Sequence, residues 1–330
     1  MVVNHFGVLS EMPSATVTDV AVLGSAMSYP VASTTKPFLP PESLIQEAQA
    51  DLLLLGAGAR NGELALRALR HNRDVIVASP WHLTLQQFVA LALAAREQHR
   101  ALLFSQPAIW AGDIVIASRA IVLKGERPSG VRGTIVTSDP ADLTDQIEQA
   151  MAISRLLLGV RPDTVSAAGG MQQASLQLFY EGGQNAQFQL SAGEPHRERT
   201  LTLLADGRSW RLDLDQPRRL TAERARGRVV PLRRVEPSPL RSPAGLEAVH
   251  LLRVYLGDER PILGVGEVHD IIVAAEAARR SLLGLGAPIQ TAAITPVRPK
   301  EIETDRPKLR TIEGGGMRSA ALRPALTIVS

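Results

Sequence analysis

Few residues of this 330-residue chain are arranged for chemistry. There is no cysteine, which excludes disulfides, thiolate nucleophiles and most zinc sites. Among the histidines, His196 lies close to Glu194 and His269 precedes Asp270, but neither pair has the spacing of a metal site. The sequence also contains no Gly-x-Ser-x-Gly, Walker or His-Glu-x-x-His motif. We therefore predict no metal site and no hydrolase or kinase chemistry.

One glycine pair in the first half of the chain has the composition of a phosphate-binding turn. Gly56-Ala57-Gly58 follows residues 51–55, which are almost all leucine and predict a strand buried on both faces. Backbone N–H groups of such a turn can hold a pyrophosphate where a strand leads into a helix. We interpret it as a tight turn, and keep Gly56 and Ala57 as candidate cofactor-binding residues.

The elements around this turn alternate between strands and helices, which is typical of βαβ units with a parallel sheet. Strands are predicted at 17–23, 51–55, 75–77 and 101–104, and helices at 61–72 and 85–99. A helix at 143–158 opens a different pattern, in which turns separate short segments of alternating polarity and predict an antiparallel sheet. Those strands are expected at 164–168, 175–180, 186–191, 199–204 and 209–214.

The remaining segments complete the predicted organisation. Residues 216–243 read as a long loop, and helices are expected at 246–255 and 268–285. Repeated prolines and a triple glycine from residue 288 onward predict a largely disordered tail. The predicted domains are 1–125, 126–288 and a tail at 289–330.

Charge and hydrophobicity restrict the compartment and the partners. No apolar run approaches the length of a membrane helix and no signal peptide is recognised, so we expect a cytoplasmic protein without a membrane partner. Between Arg197 and Arg241 there are twelve arginines against six acidic residues. Such a stretch can bind nucleic acid, but it has only one aromatic residue, Trp210. A solvated sheet edge with its loops is the favoured interpretation.

The chain resembles the Gfo/Idh/MocA family of NAD(P)-dependent sugar and polyol oxidoreductases over roughly residues 4–290. Five segments resemble family features in the correct order. Residues 50–56 resemble a strand, and residues 75–81 resemble a strand that ends in Glu-Lys-Pro in the family. Residues 156–159 resemble the end of the catalytic helix, residues 181–183 a Gly-Gly hairpin and residues 264–288 the closing helix. The resemblance implies an α/β fold, with an incomplete Rossmann-like parallel sheet followed by an α+β domain that has an open antiparallel sheet.

The family's cofactor-binding residues are replaced in this sequence. Residues 4–12 align with the helix after the family's glycine turn, so the first strand and that turn are expected to be missing. Gly24 and Ser25 stand where a ribose-binding acid would be, and Ser79-Pro80 stands in place of Lys-Pro. These residues are retained as cofactor-binding positions by resemblance only, and the cofactor is either NAD(P) or none.

The family's acid/base positions on the catalytic helix are also replaced. They correspond to Gln149 and Ala152, neither of which exchanges a proton near neutral pH. Both are expected to face the cleft between the domains. Asp145, Gln146 and Glu148 are polar neighbours for a rewired site, with ordinary helix-surface residues as the favoured alternative.

Three functions remain open. The leading hypothesis is a non-catalytic relative that binds a small molecule in the interdomain cleft or forms a homo-oligomer through its C-terminal sheet. The second is an active NAD(P)-dependent oxidoreductase with a clipped N-terminus and a rewired site. The third is a regulatory or nucleic-acid-binding module that uses the arginine-rich stretch.

Overall fold

The structure of the protein is a computed structural model. It describes residues 16–21, 43, 45–46, 52–55, 60–78, 80, 83–123, 128–138, 143–170, 172–205, 208–215, 221–223, 242–294 and 325–329. The chain divides into two compact units, of which the first comprises Met1–Gln106, Pro237–Gly266 and Pro299–Ser330 and the second Pro107–Glu236 and Glu267–Arg298. The helix predicted near 246–255 therefore groups with the N-terminal sheet, whereas the sequence placed it in the C-terminal domain.

The elements are numbered in chain order. The strands are β1 Thr16–Ala21, β2 Leu52–Leu55, β3 Asp74–Ala78, β4 Leu102–Ser105, β5 Pro128–Thr137, β6 Thr164–Gly169, β7 Gln173–Phe179, β8 Asn185–Ala192, β9 Glu198–Ala205, β10 Arg208–Asp213, β11 Thr221–Glu223, β12 Ile289–Gln290 and β13 Ala325–Val329. The α-helices are α1 Asn61–Arg70, α2 Leu85–Glu97, α3 Ile114–Leu123, α4 Leu143–Leu158, α5 Pro243–Leu256, α6 Val265–Leu283 and α7 Thr291–Ile294.

The first unit contains a five-stranded sheet in the order β1-β13-β2-β3-β4, in which every neighbouring pair is parallel. Strand β2 is buried along its whole length, as its four leucines predict. Its helices have local signals that fix their ends. Thr84 forms a capping box with Gln87 at the start of α2, and α5 begins at Ser242-Pro243 and ends at Gly257 in the left-handed conformation.

Strand β13 corrects two expectations from the sequence. It lies between β1 and β2, so this sheet does not lack a strand at the position where the opening strand was expected to be missing. It also lies inside the segment predicted to be disordered, as do β12 and α7. Strand β13 is only five residues long and is separated from the end of α7 by 30 residues. So short a segment has little local pattern, and its pairing partners are distant in the sequence, so the sequence alone did not predict it.

The second unit contains an eight-stranded sheet in the order β11-β10-β9-β5-β8-β7-β6-β12. The expected antiparallel sheet is correct for most pairs, but β5 pairs parallel with β8, so the sheet is mixed. Strand β5 was not predicted from the sequence, because its apolar alternation is interrupted at Gly133. That glycine is required, because a Cβ there would lie 2.6 Å from the Phe188 ring and 2.8 Å from Leu201.

One face of this sheet forms the core of the second unit. Residues of β7 and β8 alternate between buried and exposed or half-buried positions. Helix α4, whose predicted bounds 143–158 are correct, contacts β5, β7 and β8. Ser281 ties the end of α6 to β6, since its hydroxyl donates to the Ala287 carbonyl oxygen at 2.6 Å and accepts from the Ala167 N–H at 2.9 Å.

Candidate functional site

The carboxyl edge of the first unit's sheet is a candidate ligand site, because doubly wound folds bind ligands beyond the carboxyl ends of their strands. Ala78 and Ser105 end adjacent strands and are register partners. Pro80, one of the candidate cofactor-binding residues, follows β3 in a buried turn.

A buried polar cluster lies at the end of β4. The Glu247 carboxylate, which is 2% exposed, accepts a hydrogen bond from the Ser105 hydroxyl at 2.8 Å and another from the Gln106 backbone N–H. Helix α5 supplies Glu247, which lies 141 residues after Gln106 in the chain. The Gln106 side chain is 2% exposed, and neither of its amide atoms has a hydrogen-bond partner. No local sequence pattern links Ser105 and Gln106 to Glu247, so this polar cluster was not predicted from the sequence.

The other predicted cofactor-binding residues cannot be placed in the same way. Gly24, Ser25, Gly56, Ala57 and Ser79 lie outside the described residues. Their assignments therefore remain predictions. The nearest described neighbours are β1, which ends at Ala21, and β2, which ends at Leu55.

Helix α4 of the second unit carries both predicted acid/base positions. Gln149 is half-buried, whereas Ala152 is completely buried. The expectation that both residues face the cleft between the domains stays a prediction. Two of the polar neighbours, Gln146 and Glu148, are buried at 0% and 1% exposure, so interpreting them as surface residues is wrong.

Glu148 is engaged between two helices. Its carboxylate accepts a hydrogen bond from Arg279 of α6 at 2.9 Å, and Arg279 also contacts Glu276 at 3.2 Å. Burial raises the pKa of Glu148 to about 9, against the opposing attraction of the Arg279 guanidinium. Desolvation therefore outweighs the ion pair, and the carboxyl group is mainly protonated at neutral pH. A raised pKa of this kind occurs in general acids, but here the group lies against α6.

Gln146 has a structural role. Its amide nitrogen donates to the Thr137 hydroxyl at 2.8 Å and to the Ser191 carbonyl oxygen at 3.0 Å. It thereby connects α4 to the ends of β5 and β8. Asp145 is half-buried in the first turn of α4. Gln146 is thus held by hydrogen bonds and Glu148 by its contact with Arg279, and the rewired site that the sequence left open stays a prediction.

Of the two histidine–acid pairs noted in the sequence, His269–Asp270 is buried, whereas His196 is exposed. His269 is completely buried, and Asp270 binds Arg155 of α4 through an ion pair of 3.2 Å. Within the described ranges, no three His, Asp or Glu side chains are grouped closely enough to bind a metal ion. The described helices include none with the length and apolar character needed to span a bilayer.

Part of the arginine-rich stretch is neutralised internally. Arg197 and Arg199 both contact the Asp215 carboxylate, at 2.9 and 2.8 Å. Trp210, the aromatic residue of the stretch, is buried at 7% exposure. An aromatic side chain in the core cannot stack on a nucleic-acid base, which is how single strands are commonly held. Most residues between 216 and 241 lie outside the described ranges.

Comparison with known proteins identifies the fold. The sequence matches no protein-family model, and no curated protein is significantly similar to it. Many solved structures do match. GenD2 from gentamicin A biosynthesis, solved in complex with NAD, is 18% identical with a TM-score of 0.72, covering 87% of this chain and 92% of its own. An Agrobacterium radiobacter oxidoreductase, solved with NAD+, L-tartaric acid and magnesium, is 15% identical with a TM-score of 0.71, covering 89% and 96%.

A third match is UDP-N-acetylglucosamine 3-dehydrogenase GnnA from Acidithiobacillus ferrooxidans. It is 15% identical with a TM-score of 0.66, covering 76% of this chain and 83% of its own. At this level of identity the matches concern the fold. The predicted resemblance is confirmed to that extent: the protein has the fold of Gfo/Idh/MocA-type oxidoreductases, with a Rossmann-like unit and a second α/β unit built on a mixed sheet.

Proposed function

We propose that this protein is a binding protein built on a dehydrogenase-type fold, and that it does not transfer hydride. The observation that carries the proposal is the state of α4. One acid/base position is Ala152, which is completely buried, and the other is Gln149, whose amide does not titrate. General acid–base catalysis typically contributes about a hundred- to ten-thousand-fold in rate, and these two residues cannot provide it.

The residues present do not fit a bound dinucleotide either. After β1 the chain continues Val22-Leu23-Gly24-Ser25, which contains no carboxylate to bind ribose hydroxyls. Ser79 follows β3 where the resemblance requires a lysine. A serine hydroxyl is neutral, so it supplies no positive charge. We derive no catalytic step through NAD(P) for this chain.

Cofactor titration tests this half of the proposal. Tryptophan fluorescence or calorimetry with NADH and NADPH should give no binding at micromolar concentrations. Dissociation constants in the micromolar range would contradict the assignment of the cofactor site as lost. Turnover of a sugar or polyol with NAD+ or NADP+ would refute the whole proposal.

A ligand screen tests whether Gln149 lines a binding site. Sugars, polyols and nucleotides are screened by thermal shift against the wild type, Gln149→Ala and Thr144→Ala, where Thr144 is an exposed residue of the same helix. We expect any stabilising ligand to lose its effect in Gln149→Ala and keep it in Thr144→Ala. A ligand that stabilises all three proteins equally binds elsewhere and contradicts the role given to Gln149.

We further propose that the outer face of the second unit's sheet binds a second copy of the chain. Side chains on this face are mainly polar and include Gln177, Gln187 and Arg132, which are register partners across β7, β8 and β5. Phe179, 45% exposed, adds an apolar contact on β7. A wide sheet face with one side packed on helices leaves the other side free for a partner.

Light scattering measures the mass of the protein in solution and thereby tests whether it binds a second copy. The protein should show at least twice its mass of 35.5 kDa, and Gln187→Glu should shift it towards the monomer because two negative charges would meet across a two-fold contact. Glu63→Lys, an exposed change on α1 of the other unit, is the control. A monomer at tens of micromolar would contradict this part.

An active oxidoreductase is the second candidate. The observation in its favour is that β13 fills the strand position that the sequence suggested was missing, so the nucleotide-type sheet is continuous. In that case cofactor binding and turnover should appear together in the assays above. Under the leading proposal both should be absent.

A further inference from the structure

The sheet of the first unit contains a slot for one strand. Among the described strands, β1 and β2 follow one another in the chain, run parallel, and do not pair with each other. The slot between them is filled by β13, from the far end of the sequence. It is paired along both sides: Leu326 pairs with Val17 and Leu52, and Val329 pairs with Ala21 and Leu55. A single irregularity, between Val17 and Asp19, interrupts the β1 side.

Filling this slot matters most for β2. Its four leucines are between 0% and 2% exposed, so the strand belongs to the centre of the sheet. Without β13, the edge of β2 opposite β3 would have no strand partner in the described part of the chain. A long apolar edge with unpaired backbone groups promotes aggregation and strand addition from other chains. The slot is therefore a surface with a strong requirement for an extended, parallel occupant.

The occupant can be supplied from a distance. Residues 295–324 connect α7 to β13, and 30 residues reach about 100 Å when extended. Their length alone would allow the strand to come from the same chain or from a second copy. A strand attached by a linker of this length has an effective concentration on the order of millimolar. At micromolar protein concentrations, the strand of the same chain therefore has a roughly thousand-fold advantage.

We propose that residues 325–329 act as a docking strand in cis: a separable segment that binds the slot between β1 and β2 of its own chain and can be replaced there by the same segment as a free peptide. Docking completes the sheet at the position where consecutive strands diverge. Since ligands of doubly wound folds bind at that position, docking also controls whether this edge of the sheet is formed. The inference is independent of the proposed absence of hydride transfer.

Truncation and peptide binding test the slot. A chain ending at residue 324 is compared with the full chain by hydrogen exchange. Alternate amides along Leu52–Leu55 point towards β13, and these should lose at least ten-fold in protection, while the amides of β7 and β8 in the other unit remain unchanged. A synthetic peptide of residues 323–330 should restore the protection in the truncated chain and have no effect on the full chain. The same peptide with Thr327→Pro should not bind, because a proline inside a two-sided strand removes a ladder hydrogen bond.

A disulfide cross-link tests whether β13 comes from the same chain or from a second copy. The natural chain has no cysteine, so Thr16→Cys with Ala325→Cys introduces one pair at register partners of β1 and β13. Neighbouring strands lie about 4.8 Å apart, within the range of Cα separations that a disulfide bridges. Oxidation should give a cross-linked monomer on a non-reducing gel. A cross-linked dimer at micromolar concentration would overturn docking in cis in favour of exchange between two copies.

Two further results would overturn the proposal as a whole. One is unchanged exchange at Leu52–Leu55 after truncation, which would mean that β13 does not cover β2. The other is failure of the Thr16–Ala325 cross-link in both forms under conditions that oxidise a control pair. If the truncated chain does not fold, full-length Thr327→Pro is examined by the same exchange measurement, with Thr327→Val as its control. Equal protection of β2 in both variants would then contradict the proposal.

Discussion

Replacing Glu148 with glutamine tests whether desolvation or the ion pair governs the contact between α4 and α6. The carboxyl group is 1% exposed, and its pKa rises from 4.5 to about 9. The folded state therefore binds one proton more than the unfolded state between these values. The contribution of Glu148 to stability is then highest below pH 4.5 and falls as the pH rises towards 9. The maximum slope is about 1.4 kcal/mol per pH unit.

Glu148→Gln keeps the shape and an acceptor for Arg279 but cannot ionise. Its free energy of unfolding should therefore lack this slope. Relative to the wild type, it should gain up to about 3 kcal/mol between pH 6 and 8.5, because one titrating proton is removed over roughly two and a half units. Other groups titrate in both proteins, so the difference between the two isolates Glu148.

Urea unfolding at a series of pH values gives the required free energies. Glu276→Gln is the matched control, since Glu276 contacts the same arginine with 32% of its side chain exposed. That variant should parallel the wild type across the range. A constant difference between wild type and Glu148→Gln from pH 6 to 8.5 would refute the reasoning, because it would show that Glu148 remains ionised beside Arg279.

Three other predictions concern packing and the other unit. Gly133→Ala should lower the free energy of unfolding by about 1–3 kcal/mol through overpacking. Gly182→Ala, with nothing within 4 Å of the added methyl group, should change it by less than about 0.5 kcal/mol. Similar losses for the two variants in urea unfolding would contradict the role of the close contact. Ser281→Ala should lower the free energy of unfolding by about 1–3 kcal/mol, because the Ala167 N–H and the Ala287 carbonyl oxygen lose their hydrogen bonds to the hydroxyl. An unchanged free energy of unfolding would mean that water replaces the hydroxyl. Hydrogen bonds from His250 and Arg253 lower the pKa of Glu259, so the contribution of Glu259 to stability should be lost as the pH falls through that lowered pKa. In Glu259→Gln the melting temperature should therefore depend less on pH below 4.5 than in the wild type. An unchanged pH profile would show that this contact does not contribute.

The sequence determined the elements that carry strong local patterns. Four consecutive leucines specify a strand buried on both faces, and the helical spacing of apolar residues gave α4 its bounds of 143–158. Alternating polarity located β6 to β10 to within two residues at each end. The replacement of proton-transfer groups at positions 149 and 152 was also visible from residue types alone, since no fold can make glutamine or alanine an acid.

Tertiary structure decided the features that depend on residues far apart in the chain. The sequence could not show that β13 lies between β1 and β2, because its backbone partners are roughly 270 to 310 residues away. Similarly, Glu247 meets Ser105 only after α5 packs beside β4. Burial settled the state of Glu148: its residue type suggests a surface acid, but desolvation raises its pKa against the attraction of Arg279. Local pattern fixes what a segment becomes, whereas pairing and desolvation depend on what surrounds it.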